Sequence, residues 1–280
     1  MPADFISSLP VVEIGQGVRF DGVRPVFILG PCVIESEDFI WDMARKLKVI
    51  ADGLGIQWIF KASYDKANRS AGSSYRGLGL ETGCGILGAI GKELAVPVTT
   101  DVHSPEEATK AAEWIDFLQI PAFLSRQTDL ILAAGRTGRA VNVKKGQFMA
   151  PWDVKNVADK LLSVGCENFT FTERGTTFGY QNLVADMRSL YWMRELGYRA
   201  VMDATHSVQR PGGLGTATGG DGKLAPVLAR AAVAAGCDGV FLETHINPAE
   251  AFSDGPNQIP LADLPALIQQ LLRIHEIARE

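Results

Sequence analysis

Along this chain, short β-branched or aromatic runs alternate with longer amphipathic or Ala/Leu-rich stretches. The apolar runs occupy 26–30, 57–63, 96–102, 117–122, 140–145, 167–174, 200–206 and 239–245. Between and after them, apolar residues at helical spacing predict helices over 37–54, 82–95, 105–114, 126–136, 152–164, 182–196, 223–236 and 261–279. Several have start and stop signals. Ser36 precedes an acidic first turn, Ser104-Pro105-Glu106-Glu107 opens another helix, and Gly165, Gly197 and Gly236 follow the last apolar turns. Eight strand–helix pairs predict an α/β fold, a single (β/α)8 TIM barrel, more than an open doubly wound sheet. The segment 11–20 alternates and turns like a short β-hairpin. It places an N-terminal piece, 1–25, as a cap on the barrel floor within one domain spanning 1–280.

Length leaves that choice open until the strands are counted. The chain has 280 residues, and about 150 residues per domain suggests nearly two domains, yet α/β barrels use ~200–250 residues as one. A chain of this size buries roughly 70–75% of its unfolded surface, so folding alone does not require a metal. The net charge is −5, with no basic run or basic–aromatic stripe, which argues against a nucleic-acid role. No apolar stretch approaches the ~18 residues of a membrane span, and the opening residues lack a signal-peptide pattern. A cytoplasmic protein without membrane partners is expected. Four cysteines without a CxxC pair read as reduced thiols, and Cys84, Cys166 and Cys237 as small buried hydrophobes.

The strand runs share a second property, which points to chemistry. Each starts apolar and finishes on or just before a polar or reactive residue: Cys32 and Glu35, Lys61, Asp101, Gln119, Lys144, Arg174, His206 and Glu243. Parallel barrel strands all end on one face, so these side chains are expected to converge on one mouth. Lys61, Lys66, Arg69, Lys144 and Arg174 would concentrate positive charge there in an acidic protein, as suits a ligand with several phosphate or carboxylate groups. The loop from Lys61 to Gly77 adds hydroxyl and amide donors. Cys32, His206, Glu243 and Asp254 form a mixed thiolate, imidazole and carboxylate set suited to borderline divalent ions, with His245 competing for a place and a buried strand thiol as the plain reading of Cys32. His103 reads as a loop residue and His275 as an exposed helix residue. The loop 209–222 holds six glycines but matches neither the dinucleotide fingerprint nor the P-loop, and is expected to act as a mobile lid.

Together these residues resemble a known family. Gly30-Pro-Cys-Val-Ile-Glu-Ser36, Lys66-Ala-Asn-Arg-Ser70, Thr99-Thr-Asp-Val-His103, Gln119-Ile-Pro-Ala-Phe123, Asn142-Val-Lys-Lys-Gly-Gln147, Glu173-Arg-Gly175, Asp203-Ala-Thr-His-Ser207 and Ser253-Asp-Gly-Pro-Asn257 are similar to the motifs of the 3-deoxy-D-manno-octulosonate 8-phosphate synthases. The resemblance spans roughly 26 to 260. It implies condensation of phosphoenolpyruvate with arabinose 5-phosphate and release of phosphate, for lipopolysaccharide biosynthesis, by a homotetramer. It implies that Lys61, Lys66, Gln119, Lys144 and Arg174 hold phosphoenolpyruvate. Asn68, Arg69 and Ser70 would hold the sugar phosphate, with Arg69 reaching a neighbouring subunit's site, and Asp101 would lie near the sugar hydroxyls. Lys66, Asn68, Asp101, His206 and Asp254 are the expected catalytic residues, with His206 also touching substrate.

Cys32 in the first-strand motif resembles the metal-dependent members, where metal-free members have Asn, and the loop 253–257 lacks the Cys before Asp of the metal-free type. The implied metal set is Cys32, His206, Glu243 and Asp254, holding zinc, iron, manganese or cobalt. Ala71 departs from the common pattern, which continues with a second Ser. Two alternatives remain. The sister synthase using erythrose 4-phosphate carries a different motif at 66–70, and a non-catalytic phosphosugar-binding barrel would have no need of the catalytic groups.

Overall fold

In the computed structural model, which describes residues 9–68, 72, 74–210 and 219–279, eight parallel strands close into a ring. Two short antiparallel strands come first, β1 (Val12–Gly15) and β2 (Val18–Phe20). The ring then runs β3 (Val26–Gly30), β4 (Trp58–Lys61), β5 (Val98–Asp101), β6 (Phe117–Ile120), β7 (Ala140–Lys144), β8 (Phe169–Glu173), β9 (Arg199–Asp203) and β10 (Gly239–His245). Neighbours in sequence pair in parallel, and β10 pairs with both β9 and β3, which closes the barrel. The expected TIM barrel and its N-terminal hairpin are both present.

Side chains along each strand alternate between the inside and the helical layer. Val26 and Ile28 of β3 join Ile59, Phe117, Ala140, Val201 and Phe241 in an inner cluster. Phe27, Leu29, Phe60, Leu118, Val141, Val143, Phe171, Met202 and Leu242 face the helices in a larger outer cluster. Hairpin residues Val12, Ile14, Val18 and Phe20 complete the inner cluster, so the hairpin plugs the floor as anticipated.

The helices are α1 (Glu37–Leu54), α2 (Leu80–Leu94), α3 (Pro105–Ala111), α4 (Thr128–Arg136), α5 (Val154–Leu162), α6 (Arg188–Glu195), α7 (Ala225–Ala234) and α8 (Leu264–Ile277). The hydroxyls of Ser36 and Ser104 accept N–H bonds from Phe39 and Glu107, capping α1 and α3 as their positions suggested. Two expectations need correction. The helix expected over 182–196 starts only at Arg188, because Leu183–Val184 pairs with Thr176–Thr177 and Asp186 accepts the Arg188 N–H in a turn. His275 is buried, not exposed: the floor packs against α8, and its Nε2 lies 3.0 Å from the Val23 carbonyl.

Candidate active site

Strand parity builds the mouth. Two residues beyond an inward apolar position lies the next inward one, and near the carboxyl end that residue is polar: Lys61 after Ile59, Gln119 after Phe117, Asn142 after Ala140, Asp203 after Val201 and Glu243 after Phe241. Register aligns them, with Lys61 opposite Thr99, Asp101 opposite Gln119 and Gln119 opposite Asn142. At Gly30 a side chain would strike the Lys61 backbone oxygen at 1.8 Å, so glycine alone lets β3 approach β4 where Cys32 and Lys61 meet.

A hydrogen-bonded belt underlies the mouth. Gln119 Nε2 donates to Asp101 Oδ1 at 2.7 Å, Asn142 Nδ2 donates to Gln119 Oε1 at 2.9 Å, and the hydroxyls of Thr170 and Thr172 donate to Asn142 Oδ1 at 3.0 and 2.7 Å. Ser63 Oγ donates to the other oxygen of Asp101 at 2.7 Å. Each acceptor or donor fixes the next, which holds the side-chain amides in one orientation.

Above the belt, cations and carboxylates are paired. Lys144 Nζ donates to Asp203 Oδ2 at 2.6 Å and sits 3.8 Å from the centre of the Phe241 ring. Lys61 donates to Glu243 Oε1 and to the carbonyls of Cys32 at 2.9 Å and Pro31 at 3.4 Å, so all three of its donors are engaged. Lys66 lies 3.9 Å from Glu243 Oε1. Burial opposes its charge, but Cys32, Glu243 and Asp101 outweigh burial and raise its pKa. Burial likewise favours protonation of Asp101, while Lys66, Lys61 and Lys144 prevail and hold its carboxyl well below the ordinary range. Asp203 is similar, with His206 and Lys144 overcoming burial.

Three of the four expected metal ligands come together. One ligand atom from each of His206, Glu243 and Asp254 lies within 4.8 Å of the others. His206 Nε2 is 3.4 Å from Glu243 Oε1 and 3.8 Å from Asp254 Oδ2, while its Nδ1 lies 2.7 Å from Asp203 Oδ2. That carboxylate fixes the ring and turns Nε2 to the group, the usual support of a metal-binding imidazole. Among the described residues, Glu243 Oε2 is buried without a hydrogen-bond partner. An unpaired carboxylate oxygen beside an oriented imidazole and a second carboxylate is a donor set that fits a divalent ion. Burial and the Glu243 carboxylate push the Cys32 thiol up to about 11. Cys32 stands beside the group without belonging to it, and its Sγ–H donates to Ser253 Oγ at 3.0 Å. His245, the competitor, is turned elsewhere. Its Nε2 is 3.3 Å from Glu35 Oε1, its Nδ1 accepts the Asn247 N–H, and its ring stacks on Phe39.

Arg174 joins this mouth through a residue the sequence did not single out. Its Nη2 donates to Gln209 Oε1 at 2.6 Å, and Gln209 Nε2 donates to Asp254 Oδ2 at 2.7 Å, so one amide bridges the cation and the carboxylate. Among the described residues Arg174 Nη1 is buried without a hydrogen-bond partner, and burial lowers the pKa of the group. Asn257 Nδ2 takes the other oxygen of Asp254 at 2.8 Å. Asp203, Asn142 and Gln209 are the residues missed. Parity from Val201 and Ala140 would have found the first two; Gln209 had no sequence signal beyond opening the glycine-rich loop. Asn68 is exposed on the loop after β4. Arg69, Ser70 and Ala71 lie outside the described residues, as do 211–218 of the expected lid, whose flanks Gln209–Arg210 and Gly219–Gly220 pair antiparallel. Cys84, Cys166 and Cys237 are buried free thiols, and His103 is a loop residue beside Glu107.

A model of the DAHP synthetase I family matches residues 10–279. Proteins named 2-dehydro-3-deoxyphosphooctonate aldolase are similar over nearly the full chain. The one from Synechococcus sp. is 55% identical over 273 residues, 96% of each chain. That of Geotalea uraniireducens is 53% identical, covering 96% of this chain and 100% of its own. That of Geobacter sulfurreducens is 53% identical, covering 96% and 98%.

Proposed function

The chain belongs to the DAHP synthetase I family, among its 2-dehydro-3-deoxyphosphooctonate aldolases, and on that premise we propose that it condenses phosphoenolpyruvate with D-arabinose 5-phosphate and water. The products are 3-deoxy-D-manno-octulosonate 8-phosphate and inorganic phosphate. The observation that carries this reading is the gathering of Lys61, Lys66, Lys144 and Arg174 with Asp101, Asp203 and Glu243 at one barrel mouth in a protein of net charge −5. Such a cluster suits anionic ligands that also carry hydroxyls.

In the reaction, C3 of phosphoenolpyruvate bonds to the sugar aldehyde carbon while water adds at C2. The resulting hemiketal phosphate then loses phosphate by C–O cleavage. Lys61, Lys66, Lys144, Arg174 and Gln119 hold the carboxylate and phosphate of phosphoenolpyruvate. Among the described residues Arg174 Nη1 has no hydrogen-bond partner, which leaves it for such a ligand. Asn68, Arg69 and Ser70 receive the sugar phosphate, and Asp101 accepts from sugar hydroxyls. The reaction needs no lysine Schiff base and the lysines act as anion clamps, a role that the raised pKa of Lys66 suits. Cys32, His206, Glu243 and Asp254 would hold zinc, iron, manganese or cobalt. When bound, the ion supplies Lewis acidity to a reacting oxygen. Asp203 keeps the His206 ring aimed at the carboxylates.

The assembly is a homotetramer working in the cytoplasm and feeding lipopolysaccharide synthesis. Phe123, Phe148, Trp152, Phe178 and Tyr180 are exposed on three successive loops of the mouth face, which supports association there. Among the described residues no helix is long and apolar enough to cross a membrane. Phosphate release from phosphoenolpyruvate should require arabinose 5-phosphate. Release with erythrose 4-phosphate instead would transfer the chain to the sister activity, and tight binding of both substrates without release would make it a binding protein.

A further inference from the structure

Lys145 and Glu173 adjoin mouth residues in the chain yet face away from the mouth. Lys144 and Thr172 point inward from β7 and β8, where they bond to Asp203 and Asn142, so the next residue on each strand points outward. The parallel register that sets Lys144 opposite Thr172 then brings Lys145 beside Glu173. Neither reaches solvent, since each is 1% exposed. Lys145 Nζ is 3.5 Å from Glu173 Oε2, an oxygen with no hydrogen-bond partner among the described residues. Desolvating two ions costs more than a contact of this length recovers, so stability alone is a poor reason for the pair.

What the two side chains hold is the backbone around Arg174. Glu173 Oε1 accepts the Gly175 N–H at 2.7 Å, which closes a turn with Arg174 at its centre. Gly175 sits at φ +90°, and a Cβ there would lie 3.2 Å from Leu183 Cβ and 3.7 Å from Ser207 Cα, so the turn is wedged against its neighbours. Lys145 Nζ donates to the Met149 carbonyl at 3.1 Å and to Thr176 Oγ1 at 3.2 Å, which ties the loop after β7 to the loop after β8. Lys145 also acts on Asp186, but that carboxylate is partly exposed and bound by Arg188 at 2.9 Å. Burial lowers the Arg174 pKa, and Asp203, Asp254 and Glu173 oppose it, so the Glu173 charge is felt at the guanidinium. Lys145 meets that charge from the outer side.

We propose that Lys145 and Glu173 are positioning residues for Arg174. The carboxylate fixes the turn that aims the guanidinium inward, and the ammonium holds the carboxylate in place and offsets its charge, so that Arg174 stays directed at an anionic ligand. The inference rests on the reading that Arg174 holds phosphoenolpyruvate, and it names what sets that part of the clamp.

Calorimetric titration of phosphoenolpyruvate into the full chain tests this. Glu173→Gln sets a neutral amide against the Lys145 ammonium, and Lys145→Met leaves the carboxylate uncompensated. Each should raise the Kd by about tenfold, the scale of coupling between residues in one network. If Lys145→Met does not fold, the conservative Glu173→Gln carries the test. Arg174→Met sets the reference: because the pair acts through Arg174, adding Glu173→Gln to it should weaken binding no further. A Kd within about twofold of the unsubstituted chain in Glu173→Gln, with Arg174→Met impaired, overturns the proposal and leaves the ligand assignment standing. A further loss in the double variant also overturns it, since the pair would then act elsewhere. Undiminished binding in Arg174→Met would contradict the phosphoenolpyruvate assignment and this inference together.

Discussion

The two ends of the barrel bury charge for opposite purposes. At the floor, Arg199 is tied to the backbone carbonyls of Leu9 and Pro10, fixed partners that no substrate can replace. The apolar plug of Val12, Ile14, Val18 and Phe20 seals that end. At the mouth, Lys144, Lys66 and Arg174 face carboxylates or an amide, and among the described residues Arg174 and Glu243 retain unpartnered atoms. Phe241 divides the two regions: its ring joins the floor cluster and also lies beneath Lys144. The Arg199 charge at the floor is tied into the fold on several sides, whereas at the mouth Arg174 and Glu243 keep atoms that, among the described residues, are left for a ligand.

Substitutions on each side should separate the two roles. The largest effect is expected for His206→Ala, which removes the imidazole at the centre of the carboxylate group. Phosphate release should fall on the order of a thousandfold or more, a loss like that of a transition-state electrostatic partner, while the denaturant midpoint barely moves. Phe20→Ala should do the reverse, costing about 3–5 kcal/mol of stability by opening a cavity in the floor cluster, with kcat and KM per folded molecule unchanged. A loss of turnover in the folded fraction would break the separation.

Gln209→Met tests the bridge with an isosteric side chain that cannot hydrogen-bond. It should raise both the phosphoenolpyruvate KM and the metal dissociation constant by roughly tenfold, as the loss of a group that orients a metal ligand does, with stability unaltered. If only one constant shifts, Gln209 serves one neighbour and not both.

The smallest expected effect is on acid stability. The Asp101 pKa is lowered in the folded state from an ordinary value of 3.8, so its contribution is full above that value and is lost as pH falls through the folded pKa. The denaturant midpoint should therefore drop on acidification below about pH 4, and Asp101→Asn should flatten that drop.

Much of this comparison could be read from the sequence, because period-2 alternation and strand ends are local signals. The eight runs, the hairpin plug and the polar strand termini Lys61, Asp101, Gln119, Lys144 and Glu243 all follow from them. What escaped depends on tertiary neighbours. In the sequence His206 reads as the end of its strand, three residues past Asp203, although parity with Val201 marks Asp203 as the inward residue. His275 reads as a surface residue of a terminal helix until the loop at Val23 is found against it. Gln209 gains its meaning only when Arg174 and Asp254, 35 and 45 residues away, are brought to its two ends. The Glu243–His245 pair illustrates the limit from the other side. The spacing suggested a shared face, yet the strand end past Glu243 pairs with Ile259–Pro260 and delivers His245 to Glu35.

The central claim is that the mouth performs a metal-assisted condensation of two phosphorylated substrates. Phosphate release from phosphoenolpyruvate and arabinose 5-phosphate, measured on protein stripped by a strong chelator and again after a divalent ion is returned, tests it most directly. The account predicts that release is abolished in the stripped protein and restored by the ion. Undiminished release from protein shown by elemental analysis to be metal-free would contradict it.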